Sequence, residues 1–150
     1  MDKIDVEILW TLKESPSHPI GIQDMIKKNK KLSKNNILTE KLQSLKKDNL
    51  VDVRNVNGND VNYTITKKGN DLIWKGETWK PIFNLIKLVD PEKYTSNEIR
   101  RITNKSLVEC VTDIEFLRKE LKLIEGKSKG FKLHFVLSEK GKSHHSETDS

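Results

Sequence analysis

Between Gln23 and Asn49 the chain carries eight lysines, Lys27, Lys28, Lys30, Lys31, Lys34, Lys41, Lys46 and Lys47, against three acids, Asp24, Glu40 and Asp48. The stretch has a net charge of +5. Lysines at this density bind polyanions, because each phosphate contact releases condensed counterions. Among them stand side chains that match base edges. Asn35, Asn36 and Gln43 pair a donor with an acceptor as adenine requires, Thr39 offers a methyl to thymine, and Lys34 can reach guanine or phosphate. Base contacts are therefore expected from Lys34, Asn35, Asn36, Thr39 and Gln43, and register-fixing backbone contacts from Lys27, Lys28, Lys30 and Lys31. The bland alternative is a solvated polar face on a chain rich in Lys and Asn.

Other chemistries lack their ingredients. No Gly-x-Gly-x-x-Gly and no phosphate-loop motif occurs. His18, His134, His144 and His145 are scattered, without the spacing to carboxylates or to Cys110 that a metal site needs. Cys110 is the single cysteine, which excludes an internal disulfide framework and fits a core position beside Val108 and Val111. No enzymatic activity, no cofactor and no metal are expected. The charged opening MDKIDVEIL does not have the shape of a signal peptide, and no apolar run approaches the length of a membrane span. A cytoplasmic, nucleoid-associated chain with no membrane partner is the expectation.

Hydropathy then supplies the elements that would carry these residues. Ile4, Ile8, Leu9 and Leu12 recur at helical spacing. After the break at SPSHP come a short extended piece at Ile20–Ile22, a brief helix with Met25 and Ile26, and a longer helix capped by Ser33 with Leu38, Leu42 and Leu45 on one stripe. Two alternating runs around Asn57-Gly58 predict a hairpin, and KKGNDLIWKG a closing helical turn or two, ending near Gly76. Arg54, Asn57 and Asn59 would then lie on the hairpin, within reach of a nucleic-acid backbone.

The order repeats. VNYTITKKG at 61–69 returns 72 residues later as LHFVLSEKG at 133–141, with Tyr63 meeting Phe135, Thr66 meeting Ser138 and Gly69 meeting Gly141. Before the second copy come a helix over TWKPIFNLIKLVD with Thr78 as its cap, a short helix with Ile99 and Ile102, and a long helix with Leu107, Cys110, Val111, Ile114, Leu117 and Leu121 buried. A hairpin with its tip at Gly126–Gly130 follows. The outward face of that long helix should show Glu109, Thr112, Asp113, Glu115 and Phe116. From Tyr94 to Leu121, Arg100, Arg101, Lys105, Arg118 and Lys119 face Glu98, Glu109, Asp113, Glu115 and Glu120, a net charge of zero. Such a face suits a protein better than a phosphate backbone, so Glu109, Asp113 and Phe116 are expected at a protein interface, with the edge of the core as the alternative place for Phe116. Trp74 and Trp79 flank the boundary and would pin a hinge.

Element order, LKKDNLVDV, YTITKKG and the Asn-Gly hairpin together resemble the winged helix-turn-helix superfamily, in particular MarR- and PadR-like transcriptional regulators of archaea and bacteria. The resemblance covers roughly residues 2–76. It implies an α+β, mostly helical chain of two tandem winged helix-turn-helix domains, each of about three helices and a β-hairpin wing. The domains would span 1–76, binding DNA, and 77–141, for interaction or dimerisation, with a disordered tail at 142–150. It further implies sequence-specific regulation of transcription, with helix 33–49 in the major groove of double-stranded DNA and the 50–66 wing on the backbone. Partners beyond DNA would be a second copy or the transcription machinery. Two other readings stay open. Tandem winged helices also serve as protein scaffolds in general transcription factors, a condensin accessory protein and an ESCRT-II subunit, and they occur in replication initiators.

Overall fold

Capping chemistry sets the first element. Asp2 accepts from the Asp5 N–H at 2.9 Å and Asp5 accepts from the Asp2 N–H at 3.1 Å, a capping box that starts α1 (Lys3–Lys13). The computed structural model describes residues 1–14, 18–33, 35–55, 61–74 and 77–144, with the backbone alone at 35 and 55. Helices outweigh two small antiparallel sheets, an α+β arrangement. The chain divides into two compact units, Met1–Trp74 and Lys75–Ser150.

In the first unit, Ile20 pairs with Tyr63 as an isolated bridge, and α2 (Ile22–Lys28) leads through a 3-10 turn (Lys30–Leu32) to α3 (Asn35–Lys47). The hairpin β1 (Val51–Asn55) and β2 (Val61–Ile65) follows in the register Val53 opposite Tyr63, and α4 (Lys67–Ile73) closes the unit. The apolar stripes meet as their spacing requires. Leu9, Met25, Leu38, Leu42 and Leu45 are all at most 2% exposed. Each such side chain stabilises by about 1.5–3 kcal/mol when fully buried.

The second unit runs α5 (Lys80–Val89), β3 (Tyr94–Thr95), α6 (Ser96–Thr103), α7 (Leu107–Glu115), a π-helical turn (Phe116–Glu120), the hairpin β4 (Ile124–Lys129) and β5 (Lys132–Leu137), and α8 (Glu139–Ser143). Its sheet order is β3-β5-β4, with Tyr94 opposite Phe135 where the first unit sets Ile20 opposite Tyr63. The repeated nine-residue stretch does one physical job twice. Thr66 and Ser138 cap α4 and α8, their hydroxyls accepting from Gly69 N–H at 3.0 Å and Gly141 N–H at 2.9 Å. The same hydroxyls donate to the Asn49 and Lys122 carbonyls at 2.7 and 2.6 Å. Each glycine lies against a backbone carbonyl. A Cβ on Gly69 would sit 2.3 Å from Leu50 O, and one on Gly141 only 2.0 Å from Leu123 O.

The copies differ by one residue ahead of the hairpin. Leu50 N–H returns to Leu45 O at 2.9 Å, whereas Leu123 N–H returns to Leu117 O, one residue further, at 2.9 Å. The additional residue is taken up by the π-helical turn, closed by Leu121 N–H to Phe116 O at 3.0 Å.

Four expectations are corrected. Thr78 does not cap α5, because its hydroxyl donates to Asp113 Oδ1 at 3.1 Å and Trp79 takes the cap position. Leu107 and Val111 are 56% and 48% exposed, because α7 buries Cys110, Asp113 and Ile114 instead and the π-helical turn buries Leu117. Gly126 pairs with Phe135 inside the sheet, so the second hairpin turns at Gly130, where φ is +66°, and not at a Gly126–Gly130 tip. Residues 142–144 belong to the folded unit: α8 runs to Ser143, and the His144 ring packs edge-on to Phe83 at 5.4 Å.

Candidate nucleic-acid interface

Lys27 and Lys28 form the last turn of α2, and Lys30 and Lys31 the 3-10 turn after it; all four are exposed. Among the described residues no carboxylate pairs with them. Asn29 fixes the turn that presents them. Its amide donates to Glu7 Oε1 at 2.9 Å, and its carbonyl oxygen accepts from the Lys31 N–H at 3.1 Å. Glu7 is itself only 4% exposed on α1, so the lysine turn is tied to the core. Lys31 and Ile37 share the lining of a small cavity of about 160 Å³ with Ile4, Leu32 and Leu38, which places the basic turn against the start of α3.

On α3 the inward stripe leaves Asn36, Thr39 and Gln43 exposed, as their spacing requires. Glu40 is exposed too. Asn36, Glu40, Gln43 and Lys47 recur at i, i+4, i+7 and i+11, so the carboxylate lies in the middle of the outward stripe. Arg54 on β1 is exposed, its Nε 3.9 Å from Asp52 Oδ2. Lys34, Asn57, Asn59 and the Asn35 side chain lie outside the described residues.

One lysine of the eight is spoken for. Lys41 Nζ bonds the Asp2 carboxylate and stands 3.6 Å from Asp5 Oδ2, joining α3 to the start of α1. The hydrogen bond that Lys41 donates to Asp2 holds the ammonium above the ordinary lysine range. Burial pushes Asp2 up, but the Lys41 bond and the Asp5 N–H carry it below the usual carboxylate range; burial leaves Asp5 raised. Among the described residues, the exposed lysines of this stretch therefore lie on α2, the turn and the end of α3.

The corresponding helix of the second unit presents a different face. Glu109 is exposed and bonded by Ser106 Oγ at 3.0 Å, and Phe116 is 39% exposed with its ring 6.3 Å from Trp79. Asp113, expected outward, is 6% exposed. It faces inward because Lys105 Nζ lies 3.0 Å from its Oδ2 and the Thr78 hydroxyl bonds its Oδ1, which together compensate a buried charge. Its place outside is taken by aliphatic side chains: Leu107, Val108 and Val111 are 56%, 75% and 48% exposed. Further along, Lys119 and Arg118 bond Glu115 at 2.9 and 2.8 Å and hold its carboxyl below the usual range. The helix that is outwardly amide-rich in the first unit is apolar and then self-neutralised in the second.

The remaining chemistry-bearing residues pack. Trp74 meets Trp10 edge-on at 6.1 Å under Lys13, and Trp79 meets Phe83 at 6.4 Å, so each indole has partners in its own unit. Cys110 is 1% exposed, and burial pushes its thiol up. Among the described residues no three His, Cys, Asp or Glu side chains gather as a metal site would require, and no helix is long and apolar enough to cross a membrane. Glu7 and Asn29 escape a sequence reading because their bond spans 22 positions. Glu40 was legible in its spacing alone. Compared with protein-family models the chain matches none, and compared with curated proteins it finds no relative.

Proposed function

We propose that the chain is a DNA-binding transcriptional regulator built of two winged helix-turn-helix domains, of the kind its sequence resembles in MarR- and PadR-like proteins. In this reading α3 of the first unit enters the major groove, the lysine turn grips the backbone, and the β1–β2 hairpin is the wing. The observation that carries it is that Asn36, Thr39 and Gln43 are exposed on α3 directly after four exposed lysines, with the turn held by Asn29 and Glu7. Preorganised donors fix register on a duplex, while amide side chains on a helix face discriminate base edges. Mobility shifts on duplex DNA test it. Four phosphate contacts give an affinity that falls by roughly a hundredfold between about 50 and 200 mM salt. Absence of binding at the lower salt, or binding indifferent to salt, overturns the reading.

A second reading is favoured by Leu107, Val108 and Val111. Three exposed aliphatic residues on one helix face suit a protein surface, so the second unit serves contact with a second copy or with the transcription machinery. Were the whole chain a scaffold, a stoichiometric protein partner would accompany a lack of DNA affinity.

A further inference from the structure

Resting on the reading of α3 as the groove helix, we infer that Glu40 determines sequence specificity and reads a cytosine. Glu40 is exposed midway along the outward stripe, one turn from both Asn36 and Gln43. Among the described residues no hydrogen bond or ion pair engages it. A helix rises about 1.5 Å per residue, so these three side chains are about 4.5–6 Å apart along the axis. Stacked bases are about 3.4 Å apart, which puts successive readers one to two base-pair steps from each other.

A carboxylate only accepts. The groove floor offers it two donors, the cytosine N4 amino group and the adenine N6 amino group. Adenine sets the N7 acceptor beside its amine, and that lone pair repels a carboxylate; cytosine has a C–H there. The two amides show the opposite preference, since each supplies the donor and acceptor pair that adenine N6 and N7 match. The stripe therefore selects a C·G pair flanked by A·T pairs. Over any other base Glu40 opposes binding, surrounded by phosphates with nothing to bond. The one acid amid the stripe's amides lowers non-specific affinity and raises discrimination together.

Selection from a duplex library with a randomised core tests this on the full chain, comparing wild type with Glu40→Gln and Glu40→Ala. The site is exposed on a helix and both replacements are good helix formers, so the fold is retained, which circular dichroism checks. Wild type is expected to enrich cytosine at one position with about tenfold discrimination. Glu40→Gln shifts that position towards adenine. Glu40→Ala removes the preference there and binds unselected duplex several-fold more tightly. If both variants change affinity for all duplexes by one common factor, with base preferences intact, Glu40 is not a reader, although the DNA-binding reading stands. Failure of the wild type to retain any duplex at low salt removes both.

Discussion

At the scale of single residues, Gly69 and Gly141 show how a local sequence signal acquires its meaning from a distant atom. Replacing glycine by alanine inside a helix ordinarily stabilises by about 0.5–1 kcal/mol. Here the sign reverses, since a Cβ would sit 2.3 Å from Leu50 O at one site and 2.0 Å from Leu123 O at the other. Those carbonyls are backbone atoms at the head of each hairpin and cannot swing aside. Gly69→Ala and Gly141→Ala are each expected to destabilise their unit by about 1–3 kcal/mol, read as a lower urea midpoint. A neutral or stabilising result would show that α4 and α8 can lift off the hairpins. The sequence made the Thr/Ser-x-x-Gly pattern visible as a repeat, yet the carbonyl that demands the glycine stands 19 positions away in one copy and 18 in the other.

Among elements, the third helices α3 and α7 are the informative pair. Lys41 and Asp113 occupy matching positions 72 residues apart and bear opposite charges, yet each ties its helix to the start of the unit's first helix or to the segment just before it. The Lys41 clamp has a pH signature. Its folded-state pKa is raised above the ordinary lysine value, so its contribution is full below about 10.4 and is lost as pH rises through the folded value. Urea midpoints from pH 9 upwards should fall more steeply for the wild type than for Lys41→Met, and parallel curves would remove the clamp from the account. The outward face of α3 was legible, because leucines at helical spacing leave only one side for Asn36, Thr39 and Gln43. On α7 the same spacing sets Asp113 outside, but Lys105 in the preceding loop, its ammonium buried against that carboxylate, turns it inward.

For the whole molecule, the proposed function divides the labour between two units whose elements recur in like order. Lys30→Ala combined with Lys31→Ala should reduce the salt slope of DNA binding by roughly one per lysine. Arg100→Ala combined with Arg101→Ala, on α6, should leave that slope as it is. Fluorescence anisotropy across a salt series decides, and equal effects of the two pairs would put both units on the duplex. By itself the sequence determined the order of helices and hairpins, the buried leucine stripe of α3, the repeat and the concentration of lysines before Asn49. All of these are written in spacing, capping residues and turn chemistry within a few positions. Tertiary structure alone decided that Lys41 is neutralised by Asp2 and Asp5, that Asn29 anchors the lysine turn on Glu7, and that α7 turns Asp113 inward while Leu107, Val108 and Val111 face out. Which charge stays free depends on a partner brought close only by folding, and one-dimensional periodicity holds no record of that distance.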